Sequence, residues 1–355
     1  MVKLKTPIRF GILSYAMYHS NFWSDAVNKS ELGTLVGCWD DDGERGRQKA
    51  KEHNTRFYEN LDDLLKECDA VGITSETAKH PWLVEAAARA GVHVLCEKPI
   101  AVDLEACDRI EAAVKRSGIV FQQSFPKRHD PINHRLLEIV RSGRLGTISL
   151  ARVRHGHYYG VQGPVLAAWH DDVAMVGGGT LMDEGIHGAD FLRWFFGRPR
   201  SVVASISNAT FGKEGDDAAI AVFKYPNGLL AELSTATSFL GAENSIEIFG
   251  TRGAAIISGV DLASRDLVDG GYLKVYTANP PINPPERRWT QVVDEPPLFK
   301  KGVFHQQNPL SFLKCLAEGT EPLVTLQDGR EALQMILAAY RAAETGREVE
   351  VFPDA

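Results

Sequence analysis

Two short stretches of this chain carry the side-chain types that move protons and steady negative charge on oxygen. The first is Cys96-Glu97-Lys98-Pro99. A proline disfavours the α region for the residue before it, so Lys98 is expected to stand extended at the end of a strand. The second is Gly177-Gly178-Gly179-Thr180-Leu181-Met182-Asp183-Glu184-Gly185-Ile186-His187. The three glycines permit close backbone approach to a ligand. Asp183 and His187, four apart on a helix predicted to run to Phe196, would share one face, and Gly197 and Pro199 stop that helix. An imidazole can take or return a hydroxyl proton, and an ammonium can stabilise the alkoxide that develops. This spacing therefore points to acid–base chemistry at a hydroxyl or carbonyl carbon. We assign His187 as base, Lys98 as the cation that positions the oxygen or relays the proton, and Asp183 as the group that orients them. His155 and His157 share a face at period two, a spacing that suits a metal pair. With only two ligands in view, substrate hydrogen bonding by His157 and Tyr158 is expected there, and no metal.

The elements around these residues change character along the chain. Apolar runs at Ile8–Leu13, Thr34–Trp39, Ala70–Thr74, Val92–Cys96 and Ile119–Gln122 alternate with helical stretches, among them Trp23–Lys29, Pro81–Ala90 and Leu104–Ser117. Strands separated by helices at this rhythm imply a parallel, doubly wound sheet. After Pro126, one helix at Pro131–Ser142 is followed by longer alternating segments, Thr147–Tyr159, Ser201–Asn208, Ala218–Tyr225, Leu229–Thr237, Ser245–Phe249 and Ala254–Ser258. Tyr225-Pro226-Asn227-Gly228 is a hairpin turn signal, because Asn-Gly tolerates positive φ. The fold class is thus α/β: a Rossmann-like parallel sheet in residues 1–124, then an α+β domain over 125–355 with a large, mostly antiparallel, open-faced sheet. Ala278–Lys301 is expected to be a long loop, and Asn308–Ala317 and Leu326–Thr345 helices.

A parallel sheet of this kind binds ligands at its carboxyl edge. A dinucleotide site would place GxGxxG after the first strand, but Ser14-Tyr15-Ala16-Met17-Tyr18-His19 has glycine at none of the three positions. Ser14 and Ala16 are small enough for a similar turn, while Tyr18 and Trp23 read as space-filling. Asp40 lies roughly 20 residues further on, at the carboxyl end of the second strand, where an acidic side chain can take a ribose hydroxyl. That favours NAD over NADP, although Arg45 and Arg47 are close enough to leave NADP open.

With these residues in place, the chain resembles the Gfo/Idh/MocA family of NAD(P)-dependent oxidoreductases. VLCEKPIA is similar to the family's EKP signature and GGGTLMDEGIH to its second signature, in the same order. Ala167-Trp169 resembles the loop before the glycines, and PLVTLQDGREAL the closing helix. The resemblance implies hydride transfer between NAD and a hydroxyl carbon of a sugar, inositol or related polyol. It implies cofactor contacts from Ser14, Tyr15, Ala16, Met17, Asp40, Ser75, Glu76, His80, Glu97, Lys98 and Gln123, with Glu76 standing where the family usually has proline. It implies substrate contacts from Arg128, His157, Tyr158, Trp169 and His170, the last replacing a common arginine. Two other functions are compatible: a glycoside-processing hydrolase or lyase with permanently held NAD, and a sugar sensor that has lost its catalytic residues. Lys98, Asp183 and His187 are present, which ranks the sensor last.

Composition sets the outer bounds. The 355 residues suit two domains, and the net charge of −7 without a compensating basic run argues against nucleic acid. Cys38, Cys68, Cys96, Cys107 and Cys315 are scattered and never form CxxC, which reads as reduced thiols in a cytoplasmic enzyme. No stretch approaches the roughly 20 apolar residues of a membrane span. Alternating apolar strands would leave the second sheet with an exposed face, so a homodimer or homotetramer through it is expected.

Overall fold

The computed structural model describes residues 3–162, 168–240, 244–260, 273–277, 289–293 and 302–353. The chain divides into two compact units. One comprises Met1–His129, Ala174–Gly177 and Gly302–Leu333; the other comprises Asp130–Val173, Gly178–Lys301 and Gln334–Ala355.

The first unit carries, in order, β1 (Ile8–Leu13), α1 (His19–Asn28), β2 (Gly33–Trp39), α2 (Gly43–Glu52), α3 (Leu61–Glu67), β3 (Ala70–Ile73), α4 (His80–Arg89), β4 (His93–Cys96), α5 (Leu104–Ser117) and β5 (Phe121–Gln123). All pairings are parallel, and the strand order is β2-β1-β3-β4-β5. β3 and β4 are buried at every position, as expected of strands covered on both faces. Helix starts follow side-chain caps: Asp42, Asn60 and Asp103 accept from the first-turn amides of α2, α3 and α5, each such cap contributing about 1 kcal/mol. α1 begins at His19, four residues before the expected Trp23, so the turn after β1 is shorter than it reads. Phe10, Ile12, Trp23 and Val27 form a core together with Phe312, Leu313 and Leu316. The last three come from the late segment Gly302–Leu333, which belongs to this unit.

The second unit begins with α6 (Pro131–Arg141), β6 (Ile148–His155) and α7 (Tyr159–Gln162), and after α8 (Val173–Val176), all but whose first residue belongs to the first unit, continues with α9 (Thr180–Asp183) and α10 (Gly185–Phe196). Next come β7 (Ser201–Ser207), β8 (Ala218–Lys224), β9 (Leu230–Ala236), β10 (Asn244–Gly250), β11 (Gly253–Val260), β12 (Leu273–Thr277) and β13 (Trp289–Val293). The chain closes with α11 (Val303–Glu318), α12 (Leu326–Thr345) and β14 (Val349–Glu350). The sheet order is β13-β12-β11-β10-β6-β9-β8-β7-β14, antiparallel except for β6 with β9. The turn at Asn227-Gly228 joins β8 to β9, with Gly228 at φ 87°. Period-two patterning buries Ala151, Val153, Ala221, Phe223, Leu233 and Ile248 on one face. α10 lies against that face so closely that a Cβ on Gly188 would stand 2.3 Å from Leu233.

One expectation is corrected here. The stretch 278–301 is not loop throughout, because Trp289–Val293 forms an edge strand on β12. Its proline-rich, charged surroundings hide it, and the ladder bonds that make it a strand come from a distant partner. Residues 278–288 and 294–301 lie outside those described, as does Ala167 of the loop before the glycines.

Candidate active site

The carboxyl edge of the parallel sheet collects most of the first unit's expected site residues. Ser14 follows β1 with φ 71°, the left-handed conformation that a glycine would adopt without strain. The turn is held by polar bonds. The Tyr15 amide donates to Asp40 at 2.7 Å, the Met17 amide to the Thr74 carbonyl at 2.9 Å, and the Ala16 amide to Ser14 Oγ at 3.2 Å. These amides fix the loop, so what it offers an anionic group is the amino end of the ten-residue α1. The Tyr15 side chain turns inward, its hydroxyl 2.8 Å from Ser24 Oγ and its ring stacked on His53. Trp23 is fully buried, as expected of a space-filler, whereas Tyr18 is exposed and meets His19 and Phe22 edge-on.

Asp40 is placed as expected, directly after β2, with its side chain buried. Arg45 lies on it at 2.6 and 2.9 Å. The cation that could have met a ribose phosphate is thus already paired with a carboxylate. A small-residue turn, a helix amino end and an acid after β2 form a donor set that fits NAD better than NADP. Across the edge, Lys79 bridges Asp41 and Glu76, while Arg47 turns to Glu59.

The Glu97-Lys98 step after β4 is buried and tightly braced. Glu97 Oε2 accepts the Lys98 amide at 2.9 Å, and Glu97 Oε1 meets His19 Nδ1 at 3.0 Å and Ser124 Oγ at 3.3 Å. His19 occupies the position of the third expected glycine, and His305 stacks on it with ring centroids 3.7 Å apart. Burial pushes the Glu97 carboxyl above its usual range, opposed by His305 and Lys98. Gln123 donates to the carbonyls of Cys96 and Glu97, and His80 lies within 2.9 Å of the Pro99 carbonyl and 3.2 Å of that of Ser75. Both side chains thus fasten the loop that presents Lys98. Arg128 is buried against Asp328 at 3.2 Å.

The second unit builds its cluster on the glycine turn. A Cβ on Gly178 would stand 2.4 Å from Tyr340 Oη, and one on Gly179 would stand 2.2 Å from the Asp216 backbone. Asp216 then accepts from the amides of Gly179 (3.0 Å) and Leu181 (2.8 Å), and from Tyr340 Oη at 2.6 Å. An acid at a helix amino end is electrostatically favourable, and this one caps α9. Burial still pushes the Asp216 carboxyl up.

Here the structure corrects the expected single helix. α9 ends at Asp183, Glu184 breaks the run at φ −104°, and α10 starts at Gly185. Asp183 and His187 therefore belong to two helices. The Glu184 carboxylate stands 3.1 Å from His155 Nε2 and 3.6 Å from His157 Nε2. The His155 and His187 rings meet edge-on with centroids 4.9 Å apart at 71°. Trp169 and His170 stack on each other at 3.8 Å in the short turn Ala168–Asp171, and Tyr158 precedes α7.

Glu184, Asp216, Tyr340, His19 and His305 were not identified from the sequence as site-building residues. Only His19 had left a signal, a bulky ring where a dinucleotide turn wants glycine. Glu184 sits within the second signature, but helix periodicity points to its neighbour.

Comparison with known proteins identifies the family and the fold. Residues 8–125 match a family model described as the oxidoreductase family, NAD-binding Rossmann fold, and residues 134–256 match the GFO/IDH/MocA C-terminal domain. The chain is 27% identical over 335 residues to a 1,5-anhydro-D-fructose reductase from Ensifer adhaerens, covering 93% of this chain and 94% of the relative. It is 27% identical over 310 residues to a myo-inositol 2-dehydrogenase from Thermotoga maritima, covering 83% and 84%. The crystal structure of an aldose-aldose oxidoreductase from Caulobacter crescentus, complexed with glycerol, superposes with a TM-score of 0.78 at 26% identity, covering 97% and 99%.

Proposed function

The chain belongs to the Gfo/Idh/MocA family of NAD-dependent oxidoreductases, and from that premise we propose that it oxidises or reduces one CH–OH carbon of a sugar, inositol or related polyol. Relatives named for 1,5-anhydro-D-fructose, myo-inositol and an aldose support a polyhydroxylated substrate. Bound NAD supplies the hydride acceptor or donor. The residues of the chain supply position and proton traffic. Lys98 steadies the reacting oxygen, His187 removes or returns its proton, and Asp183 orients both. His157, Tyr158, Trp169, His170 and Arg128 are assigned to substrate contacts. In this reading, residues 1–124 are the nucleotide-binding part and 125–355 the substrate and assembly part.

The observation that carries the reading is the bracing of Lys98. Lys98 is buried just past a strand end, with its own amide held by the Glu97 carboxylate, itself fixed by His19 and Ser124. Such preorganisation is what catalysis requires of a charge-stabilising group. The test is a panel of sugars and polyols with NAD, followed at the NADH absorbance. Lys98→Ala and His187→Ala are each expected to lower turnover by roughly 10²–10⁴-fold with circular dichroism unchanged. Unaltered rates in both would remove the assignment, and NADP as the co-purifying nucleotide would overturn the cofactor.

The outer face of the second sheet exposes Leu150, Ile220 and Leu230 around Arg152, which pairs with Glu232 and Glu247. We propose that a second copy covers this face. A monomeric mass by light scattering would contradict it.

A further inference from the structure

Among the described residues stand two histidine–carboxylate clusters, one in each unit: His19, Glu97 and His305, and His155, Glu184 and His187. They differ in how their rings are aimed. In the first, the imidazoles of His19 and His305 lie nearly face to face, 3.7 Å apart with an interplanar angle of 27°. Ring nitrogens in a stack point along parallel directions and do not converge on one centre. In the second, the rings of His155 and His187 meet edge-on at 71°, and the carboxylate of Glu184 stands among them.

We propose that His155, Glu184 and His187 form a binding site for a divalent late first-row transition cation of the Zn²⁺ class. All three are buried, and their ligand atoms lie within 4.8 Å of one another. A tetrahedral site with bonds of about 2.0–2.1 Å sets its ligand atoms about 3.3 Å apart. His155 Nε2 and Glu184 Oε2 already stand at 3.1 Å, and His157 Nε2 at 3.6 Å from the same oxygen offers a fourth position. Two or three imidazoles with one carboxylate is a donor set for zinc, cobalt, iron or nickel, not for magnesium or calcium. Metal-ligating histidines usually give their second ring nitrogen to an oxygen that fixes the tautomer. His155 has such a partner: its Nδ1 lies 3.4 Å from Asn244 Oδ1, on the strand paired with β6.

The site shares His187 with the proposed base and rests on that reading only for its consequence: an occupied site takes the nitrogen the proton would use, so the cation inhibits turnover. Binding itself is tested without activity. Full-length protein, stripped with a chelator, is titrated with Co²⁺ and followed by its visible d–d absorption, with metal content then measured after dialysis. One equivalent is expected per chain, displaced by Zn²⁺. His155→Ala and the near-isosteric Glu184→Gln should abolish stoichiometric uptake. Asn244→Ala should weaken it by roughly tenfold, as loss of an outer partner does. His19→Ala should leave it intact. Absence of uptake by the unaltered chain would overturn the proposal, as would uptake that survives Glu184→Gln or disappears in His19→Ala. A chain that takes up Co²⁺ but never reduces NAD would refute the function and keep the site.

Discussion

The two turns that open onto helices at the candidate sites solve one backbone problem in opposite ways. The turn from Ser14 to Tyr18 has no glycine, and Ser14 stands at φ 71°, its hydroxyl donating to Asp40 and accepting from the Ala16 amide and its carbonyl accepting from the Thr74 hydroxyl. The turn at Gly178-Gly179 has no side chains, because the Asp216 backbone and the Tyr340 hydroxyl fill the space where they would be. Each turn precedes a histidine that meets a glutamate, His19 with Glu97 and the Glu184 cluster with His187. The first histidine fastens a loop, and the second stands where substrate chemistry is proposed. Glycine is thus required where a polar brace is packed against the chain, and dispensable where polar bonds impose the unusual dihedral.

The sharpest way to break this contrast is Gly179→Ala. Its Cβ would sit 2.2 Å from both the backbone nitrogen and oxygen of Asp216, so a loss of about 3 kcal/mol is expected in denaturant unfolding. A loss under about 1 kcal/mol would show that the turn relaxes easily. His19→Ala comes next. It leaves the buried Glu97 without its imidazole and should cost about 1–3 kcal/mol, with a higher KM for NAD and little change in kcat. A fall in kcat alone would make His19 more than a fastener.

Acid should also act on the first unit. Burial pulls the His80, His53 and His93 imidazoles of the first unit below their ordinary value. A group whose folded pKa is depressed binds more protons unfolded than folded. The stability it contributes is therefore complete above about pH 6.5 and falls as pH drops toward the folded value. Thermal midpoints are expected to fall between pH 7 and 5.5, and His80→Asn should flatten that slope. An unchanged slope would exclude His80 as a source. Ser14→Gly should have the smallest effect. Relief of the left-handed strain, about 1 kcal/mol, is offset by loss of the hydroxyl bonds, leaving a net change within about 1 kcal/mol.

Much of this molecule is written in local pattern. The alternation of strand and helix up to Gln123, the hairpin at Asn227-Gly228, Asp40 after the second strand and Lys98 before its proline are all readable from spacing, because each depends on neighbours within a few residues. α1 begins earlier than its apolar pattern suggests, and β13 emerges from a stretch that looks like loop. The ladder bonds of β13 come from β12, and α1 starts at His19, whose ring meets Glu97.

The sequence by itself determined the doubly wound sheet, its carboxyl-edge acid and lysine, and the family signatures, since periods of two and 3.6 and fixed local motifs carry that information. Only the tertiary structure decided that Glu184 joins the histidines, that Asp216 and Tyr340 seat the glycine turn, and that His305 stacks on His19. Those choices depend on a helix break one residue wide and on side chains brought together from separate strands and helices. Neither is encoded in the spacing of any single segment.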